Sequence, residues 1–330
     1  MNRIKVGIVG AGYIGGVHAA LLARDERVSV AAVYDVAAER AERLARETGA
    51  AVASSAEEVV EACEAVYVTT PNTQHTRLAV AAAGAGRHVF CEKPLATTLE
   101  DARAVLAAAD ASGRVFQVGH NRRFAPVYAA LKQMLSEGDA AHSAHVKMNR
   151  GELLKPVWTG DAAVTGGFLY ETPVHMFDMM RFLFGEVAEL YALASAHEYP
   201  EQDDFSVLLR FASGMHATLA TSADASWLFP FERVEVFRHH QTIVTREMES
   251  LTYSDALEGH HVTRSMQQLP KEEKWGYAQE DRAFVDSVVS GTPPPVTALD
   301  GYRSVELVDA CYRAARDGGG RVEIRRRADV

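Results

Sequence analysis

Three short stretches of this chain hold side chains able to move a proton, steady a charge or cradle an anion. In GGFLYETPVH, residues 166 to 175, a carboxylate and an imidazole stand four apart as Glu171 and His175. Locally the stretch reads as a helix start. Thr172 suits an N-cap, Pro173 suits the first helical position, and VHMFDMMRFLF supplies the apolar run that follows. Two readings stay open on those residues alone: a catalytic acid–base pair, or the polar beginning of a buried helix. In CEKPLA, residues 91 to 96, Lys93 places a cation at a strand end, with Pro94 stiffening the turn. In GAGYIG, residues 10 to 15, three glycines interrupt the passage from a strand into a helix.

The glycine stretch is the most specific of the three because its neighbourhood fits. It follows the strand IKVGIVG, and a second strand, VSVAAVYD, arrives at βαβ spacing and ends in Asp35. Gly10 permits a tight turn, Gly12 lets backbone approach a pyrophosphate, and Gly15 allows close helix–strand packing. Tyr13 and Ile14 open the helix whose N-terminus offers N–H groups and positive dipole to the phosphates. A carboxylate at Asp35 accepts hydrogen bonds from a ribose diol and repels a 2′-phosphate. The pattern predicts a dinucleotide, with NAD favoured over NADP, although Arg40 and Arg43 lie on the next helix.

The elements that must position these residues fall into two rhythms. Up to about residue 122, β-branched runs (IKVGIVG, VSVAAVYD, AVYVTT, HVFCE, VFQVG) alternate with Ala-rich helical patterns such as TLEDARAVLAAADASG. That alternation predicts a parallel sheet covered on both faces. Beyond it, SAHVKMNRG, VAELYALASAHEY, FSVLLRFASG, MHATLATSA and FERVEVFRHHQTIVTREM arrive as consecutive strands, which predicts a largely antiparallel sheet. The expected architecture is an α/β Rossmann dinucleotide-binding domain at 1–122 and an α+β domain with an open sheet at 123–330. A C-terminal helix, about 298–317, is expected to pack back on the first domain.

A length of 330 residues suits two cores, and 48% apolar with 24% charged residues is an ordinary globular composition. The net charge of −10, with no basic run beyond the terminal RRR, argues against nucleic acid and against anionic membrane surfaces. Cys63, Cys91 and Cys311 are too few and too scattered for a disulfide framework or a zinc motif, and read as small core residues. The adjacent pairs His239–His240 and His260–His261 would point to opposite faces of a strand, and no metal site is predicted. No signal peptide and no bilayer-length apolar stretch is read, so a cytoplasmic protein is expected.

Taken together, GAGYIG, TTPNTQH (69 to 75), CEKPLA, QVGHNRRFAP (117 to 126), GGFLYETPVHMFD and AFVDSVVSGTPPPVTALDGYRSVEL resemble the glucose–fructose oxidoreductase/inositol dehydrogenase (Gfo/Idh/MocA) family over nearly the whole chain. The resemblance implies an NAD(P)-dependent oxidoreductase moving hydride between nicotinamide and a secondary alcohol of a sugar, cyclitol or sugar derivative. It implies that Lys93 lies beside nicotinamide and substrate hydroxyl, that His175 transfers the proton, and that Glu171 carries a carboxylate facing the substrate. The family's usual G-G-G-x-x-x-D-x-G-x-H is altered here, with Phe168 for the third Gly, Glu171 for Asp and Pro173 for Gly. Thr70, Pro71, Asn72, His75 and Glu92, in loops after strand ends, join the expected cofactor set, while Asn121, Arg122, Trp158 and Tyr277 are candidates for the substrate pocket. A homodimer or homotetramer is expected. Two rival readings are an NAD-dependent glycosidase with no net redox change and a non-catalytic NAD-binding regulator.

Overall fold

The computed structural model describes residues 3–149, 157–226 and 231–324, and the chain divides into two compact units. The first comprises Met1–Asn121 with Tyr277–Val305, the second Arg122–Gly276 with Glu306–Val330. The first unit runs β1 Ile4–Val9, α1 Tyr13–Leu22, β2 Val28–Tyr34, α2 Ala38–Thr48, β3 Ala51–Val52, α3 Ala56–Ala62 and β4 Ala65–Val68. It continues with α4 His75–Gly84, β5 His88–Glu92, α5 Leu99–Ser112 and β6 Phe116–Gly119. Every pairing is parallel, in the order β3-β2-β1-β4-β5-β6. The order reverses between β1 and β4, the crevice where open α/β sheets bind ligands. All four residues of β4 and of β6 are buried, as expected for strands covered on both faces. Ser55 and Thr98 cap α3 and α5 by accepting the N–H groups of Glu58 and Asp101, which settles where those helices begin.

In the second unit, α6 Pro126–Ser136 precedes β7 Ser143–Met148, and the described chain resumes with α7 Ala162–Thr165, α8 Phe168–Glu171 and α9 Val174–Phe184. Among the described residues seven strands follow: β8 Val187–Ser195, β9 Asp204–Phe211, β10 His216–Ser222, β11 Glu232–Arg238, β12 Gln241–Arg246, β13 Ser250–Ser254 and β14 His261–Ser265, then the short α10 Lys271–Lys274. Buried and open residues alternate along β9, so among the described residues that strand is covered on one face and open on the other. The expected strand FERVEVFRHHQTIVTREM is two, β11 and β12, paired antiparallel from Arg238↔Gln241. His239 and His240 therefore form the hairpin turn, with His240 at φ 52° and the two rings 3.8 Å apart, instead of lying on opposite strand faces. Arg150 and Gly151, at the end of the expected SAHVKMNRG strand, and the terminal RRR lie outside the described residues.

The chain then returns to the first unit. α11 Tyr277–Ser290 packs on α1 and adds Phe284 and Val285 to the core beneath β1, β2 and β4. Val118 donates its N–H to Val296 O, and Gln117 its side-chain amide to Glu280 O. The long α12 Ala298–Arg316 starts in the first unit, and β15 Val322–Glu323 closes the second sheet beside β8. Among the described residues that sheet has the order β14-β13-β12-β11-β7-β10-β9-β8-β15, antiparallel except for β7 with β10. No helix among the described residues is long and apolar enough to cross a membrane.

Candidate active site

The nucleotide-side residues gather at the carboxyl ends of β1, β2, β4 and β5. Gly10 turns the chain at φ +102°, and a Cβ there would stand 2.6 Å from Thr69 O. A Cβ at Gly15 would stand 2.1 Å from Gly10 O, whereas one at Gly12 would meet nothing within 4 Å. The loop is tight on its inner side and clear at Gly12, the arrangement a backbone needs to admit a pyrophosphate. Gly12 N-caps α1 without any side-chain hydrogen bond, and Tyr13 and Ile14 begin that helix. Thr69 Oγ1 donates to Gly10 O at 2.7 Å and fastens β4 to the loop. Beside it, Thr70 Oγ1 is buried with no partner among the described residues, a hydroxyl available to a bound group.

Asp35 follows β2 and is doubly engaged. Its Oδ2 accepts the Ala11 N–H at 2.8 Å and its Oδ1 the Ala37 N–H at 2.8 Å. The carboxylate thus braces the glycine loop and still holds lone pairs for a ribose hydroxyl. Arg43 reaches Ala11 O at 3.5 Å, so a cation does stand near this corner. The residues present fit a dinucleotide.

At the end of β5, Glu92 is buried and its two oxygens do different things. Oε2 accepts the backbone N–H of Lys93 at 3.1 Å, and Oε1 lies 3.0 Å from His18 Nε2. The other ring nitrogen of His18 lies 2.8 Å from Asp281 Oδ1, which also accepts the Tyr67 hydroxyl at 3.1 Å. Burial opposes charge on His18, but the Asp281 carboxylate and the hydrogen bonds to Asp281 and Glu92 outweigh it and raise its pKa well above the ordinary value. Burial likewise opposes ionisation of Glu92, and the His18 hydrogen bond and charge reverse that and lower its pKa. Asp281 goes the other way, burial raising its pKa against the pull of His18. His18, Glu92 and Glu280 are close enough together to hold a metal ion. Both His18 nitrogens, however, already sit at hydrogen-bonding distance from carboxylate oxygens, so the ring is held between two acids. His75 is buried too, its Nδ1 2.7 Å from Pro94 O and its Nε2 2.8 Å from Thr70 O. Both nitrogens face backbone carbonyl oxygens, and whichever carries the proton donates, so this ring links two loops. Desolvation lowers its pKa, opposed by those two bonds. Pro71 N-caps a 3-10 turn, Asn72–Gln74, and Asn72 within it is buried.

The second unit carries the other set. Gly166 and Gly167 have φ of 85° and 115°, and a Cβ on Gly167 would stand 2.8 Å from Tyr312 Oη. Both positions need glycine, whereas the following one does not, and Phe168 there starts α8 and is buried. Glu171 ends α8 and His175 is the second residue of α9, with Thr172 and Pro173 in right-handed helical geometry between them. The expected N-cap at Thr172 is not found. The chain is already turning before it, Pro173 occupies the cap position with no side-chain bond, and α9 starts at Val174. His175 is 6% exposed and Glu171 half-buried. Asp178, a turn later, accepts two bonds from Arg123 at 2.7 and 2.6 Å and so anchors α9.

The remaining candidates separate. Asn121 closes the first unit and is buried, while Arg122 opens the second and donates to buried Glu232 at 2.8 Å. Arg122 also lies 5.9 Å from the Trp275 ring, so its stem and charge serve packing in that unit. Tyr277 is edge-on to His18, ring centres 6.0 Å apart, and Trp158 is 39% exposed on a 3-10 turn, Val157–Gly160. The sequence reading passed over His18 and Asp281. A histidine three residues beyond Gly15, on the helix that the glycine loop opens, was the signal available; Asp281 is 263 positions away, and no spacing rule links them.

A doubly wound parallel sheet with a cleared glycine loop, joined in sequence to a mostly antiparallel sheet domain, is the build of a nicotinamide-dependent oxidoreductase. Residues 4–120 match the model of the GFO/IDH/MocA oxidoreductase family, NAD-binding Rossmann fold, and residues 132–324 match that family's C-terminal alpha/beta domain. The chain belongs to this family, and its first unit is an NAD-binding domain. A myo-inositol 2-dehydrogenase of Thermotoga maritima is 28% identical over 325 residues, spanning 95% of this chain and 97% of its own. Among solved structures, GenD2 from gentamicin A biosynthesis in complex with NAD is similar at 25% identity and TM-score 0.81, over 99% of this chain and 97% of that one. A levoglucosan dehydrogenase complexed with NADH shares the fold at TM-score 0.89 and 22% identity, over 98% of this chain and 100% of that one.

Proposed function

We propose that this chain oxidises a secondary alcohol of a sugar, cyclitol or sugar derivative, with NAD as acceptor. Bound NAD supplies nicotinamide C4 as the place where the hydride goes. His175 takes the hydroxyl proton, as a positioned neutral imidazole can. Lys93 steadies the developing alkoxide by its charge. Glu171 holds a neighbouring hydroxyl, and its extra methylene relative to the family's usual Asp makes it the residue that tunes which polyol is accepted. Asp35 selects NAD through the ribose diol. The observation that carries the reading is that the family's two reactive stretches are both present and both fixed: Lys93 by its backbone bond to buried Glu92, and Glu171–His175 by the twin-glycine turn and α9. Support for a polyol substrate comes from the inositol dehydrogenases to which the chain is similar. A homodimer or homotetramer built on the second sheet completes the proposal.

The test is direct. The purified protein is incubated with NAD and a panel of cyclitols, aldoses and glycosides while NADH and released aglycone are followed. NADH formation with at least one free polyol is expected. Aglycone release without NADH would move the chain to the glycosidase class, and NAD binding without turnover of anything would make it a regulator.

A further inference from the structure

The segment Glu92–Lys93–Pro94 is gripped by buried histidines on two different helices. From α1, His18 donates toward Glu92 Oε1 at 3.0 Å, which fixes the rotation of that carboxylate. Its other oxygen then meets the Lys93 N–H at 3.1 Å. Behind His18, Asp281 of α11 takes the second ring nitrogen at 2.8 Å and is itself bonded by Tyr67. From α4, His75 reaches Pro94 O at 2.7 Å. Tyr67 and Phe90 stack with centres 4.4 Å apart and wall the His18 ring, at 5.4 and 4.9 Å. Two acids and an imidazolium buried in such a box are costly. Apolar side chains of similar volume would commonly stabilise a core as well or better. Stability alone therefore gives no reason for the arrangement, and the cluster meets a candidate reactive residue at the Lys93 backbone N–H.

We propose that His18 and Asp281 are positioning residues for Lys93, acting through Glu92. The proposal rests on the reading of Lys93 as the cation that steadies the alkoxide. An electrostatic catalyst works when its charge is held where the transition state develops it, and a misplacement on the order of 1 Å can cost about a hundredfold. Without His18 the Glu92 carboxylate is free to rotate, and the Lys93 backbone loses the acceptor that fixes it. Substrate and NAD would still bind to the His18 variant, because the glycine loop, Asp35 and the Glu171–His175 stretch lie outside this chain of bonds and Glu92 and Lys93 are themselves unchanged.

The experiment compares wild type with His18→Gln, Asp281→Asn and Glu92→Gln, using the polyol that gives NADH with wild type. Circular dichroism and NAD titration establish that each variant is folded and loaded. His18→Gln is expected to lower kcat about ten- to a hundredfold, with NAD affinity and substrate KM within about threefold of wild type. Amide hydrogen exchange at Lys93 should quicken in the same variant. Glu92→Gln, whose amide oxygen can still accept the Lys93 N–H, should retain more of kcat than His18→Gln. A purely structural role would not produce this split of kcat from KM together with the partial rescue. If His18→Gln does not fold, the isosteric Asp281→Asn takes its place with the same expectation. Native kcat in the folded variant overturns the proposal. Absence of turnover by wild type with every polyol instead removes the dehydrogenase reading on which the proposal stands, so the two failures are told apart by the wild-type arm.

Discussion

Asp35 bears two demands with one carboxylate, since the oxygens that would select a ribose diol also hold the Ala11 and Ala37 N–H groups. Asp35→Ala removes both kinds of bond. Hydrogen bonds to a charged group are worth roughly 1.5–3 kcal/mol each, so NAD affinity by calorimetry should fall at least about tenfold. NADP affinity should fall less, because the repulsion of its 2′-phosphate goes too, and Arg43 is already nearby. A wild type that prefers NADP by kcat/KM would contradict the role given to Asp35. His175 makes a different demand. Removing a positioned base typically costs ~10²–10⁴-fold in rate, so His175→Ala should lose that much kcat while binding NAD normally. A general base takes a proton only when it is deprotonated, so the acid limb of the wild-type pH–rate profile for oxidation should be missing from the variant. Turnover of the variant at the native rate would reduce His175 to a helix-start residue.

At the level of elements, the His18 bridge ties α1, β5 and α11 together, and its charge makes that tie sensitive to pH. The folded state raises the His18 pKa, with burial opposing and the Asp281 and Glu92 bonds prevailing. Between the ordinary histidine value of about 6.5 and that higher value, the native protein keeps a proton that the unfolded chain has lost. Stability contributed by the bridge is therefore complete below the ordinary value and is lost as pH rises through the folded one. Denaturant midpoints taken stepwise from neutral to alkaline pH should fall more steeply for wild type than for His18→Gln; parallel curves would show the ring uncharged. How much of this was legible in the sequence varies by element. The parallel strands and the glycine loop were, because periodicity and glycine geometry are local. The second sheet's hairpin was not, since FRHHQT lacks a glycine turn and His240 accepts φ 52° instead. Thr172 misled for a similar reason: its residue type promises a cap, but α8 has already begun the turn before it. The Asp281–His18–Glu92 chain joins residues brought together only by tertiary packing, and no window along the sequence contains them.

For the molecule as a whole, the open face of β8 and β9 bears on assembly. In sequence, VAELYALASA and MHATLATSA carry apolar residues in both alternating sets. In the structure the outward set is uneven: β10 presents His216 and Thr218, while β8 and β9 present Tyr191, Leu193 and Leu208. Tyr191 stands opposite Leu208 across the ladder, and Leu193 and Leu208 are 63% and 45% exposed. Clustered leucines and a tyrosine on a flat strand surface are the makings of a self-complementary interface, in which one patch meets its own copy about a twofold axis. On the same strands Glu189 accepts from Arg210 and Arg321. Sedimentation at micromolar concentration should therefore show a dimer or tetramer. Placing like charges across the axis, as in Leu193→Glu with Leu208→Glu, should release monomers without unfolding the first unit, whose core is separate. NAD binding provides the check on that: it should persist in the released monomer, because the glycine loop and Asp35 lie wholly within the first unit. A wild-type chain that sediments as a monomer would mean that this face serves another contact.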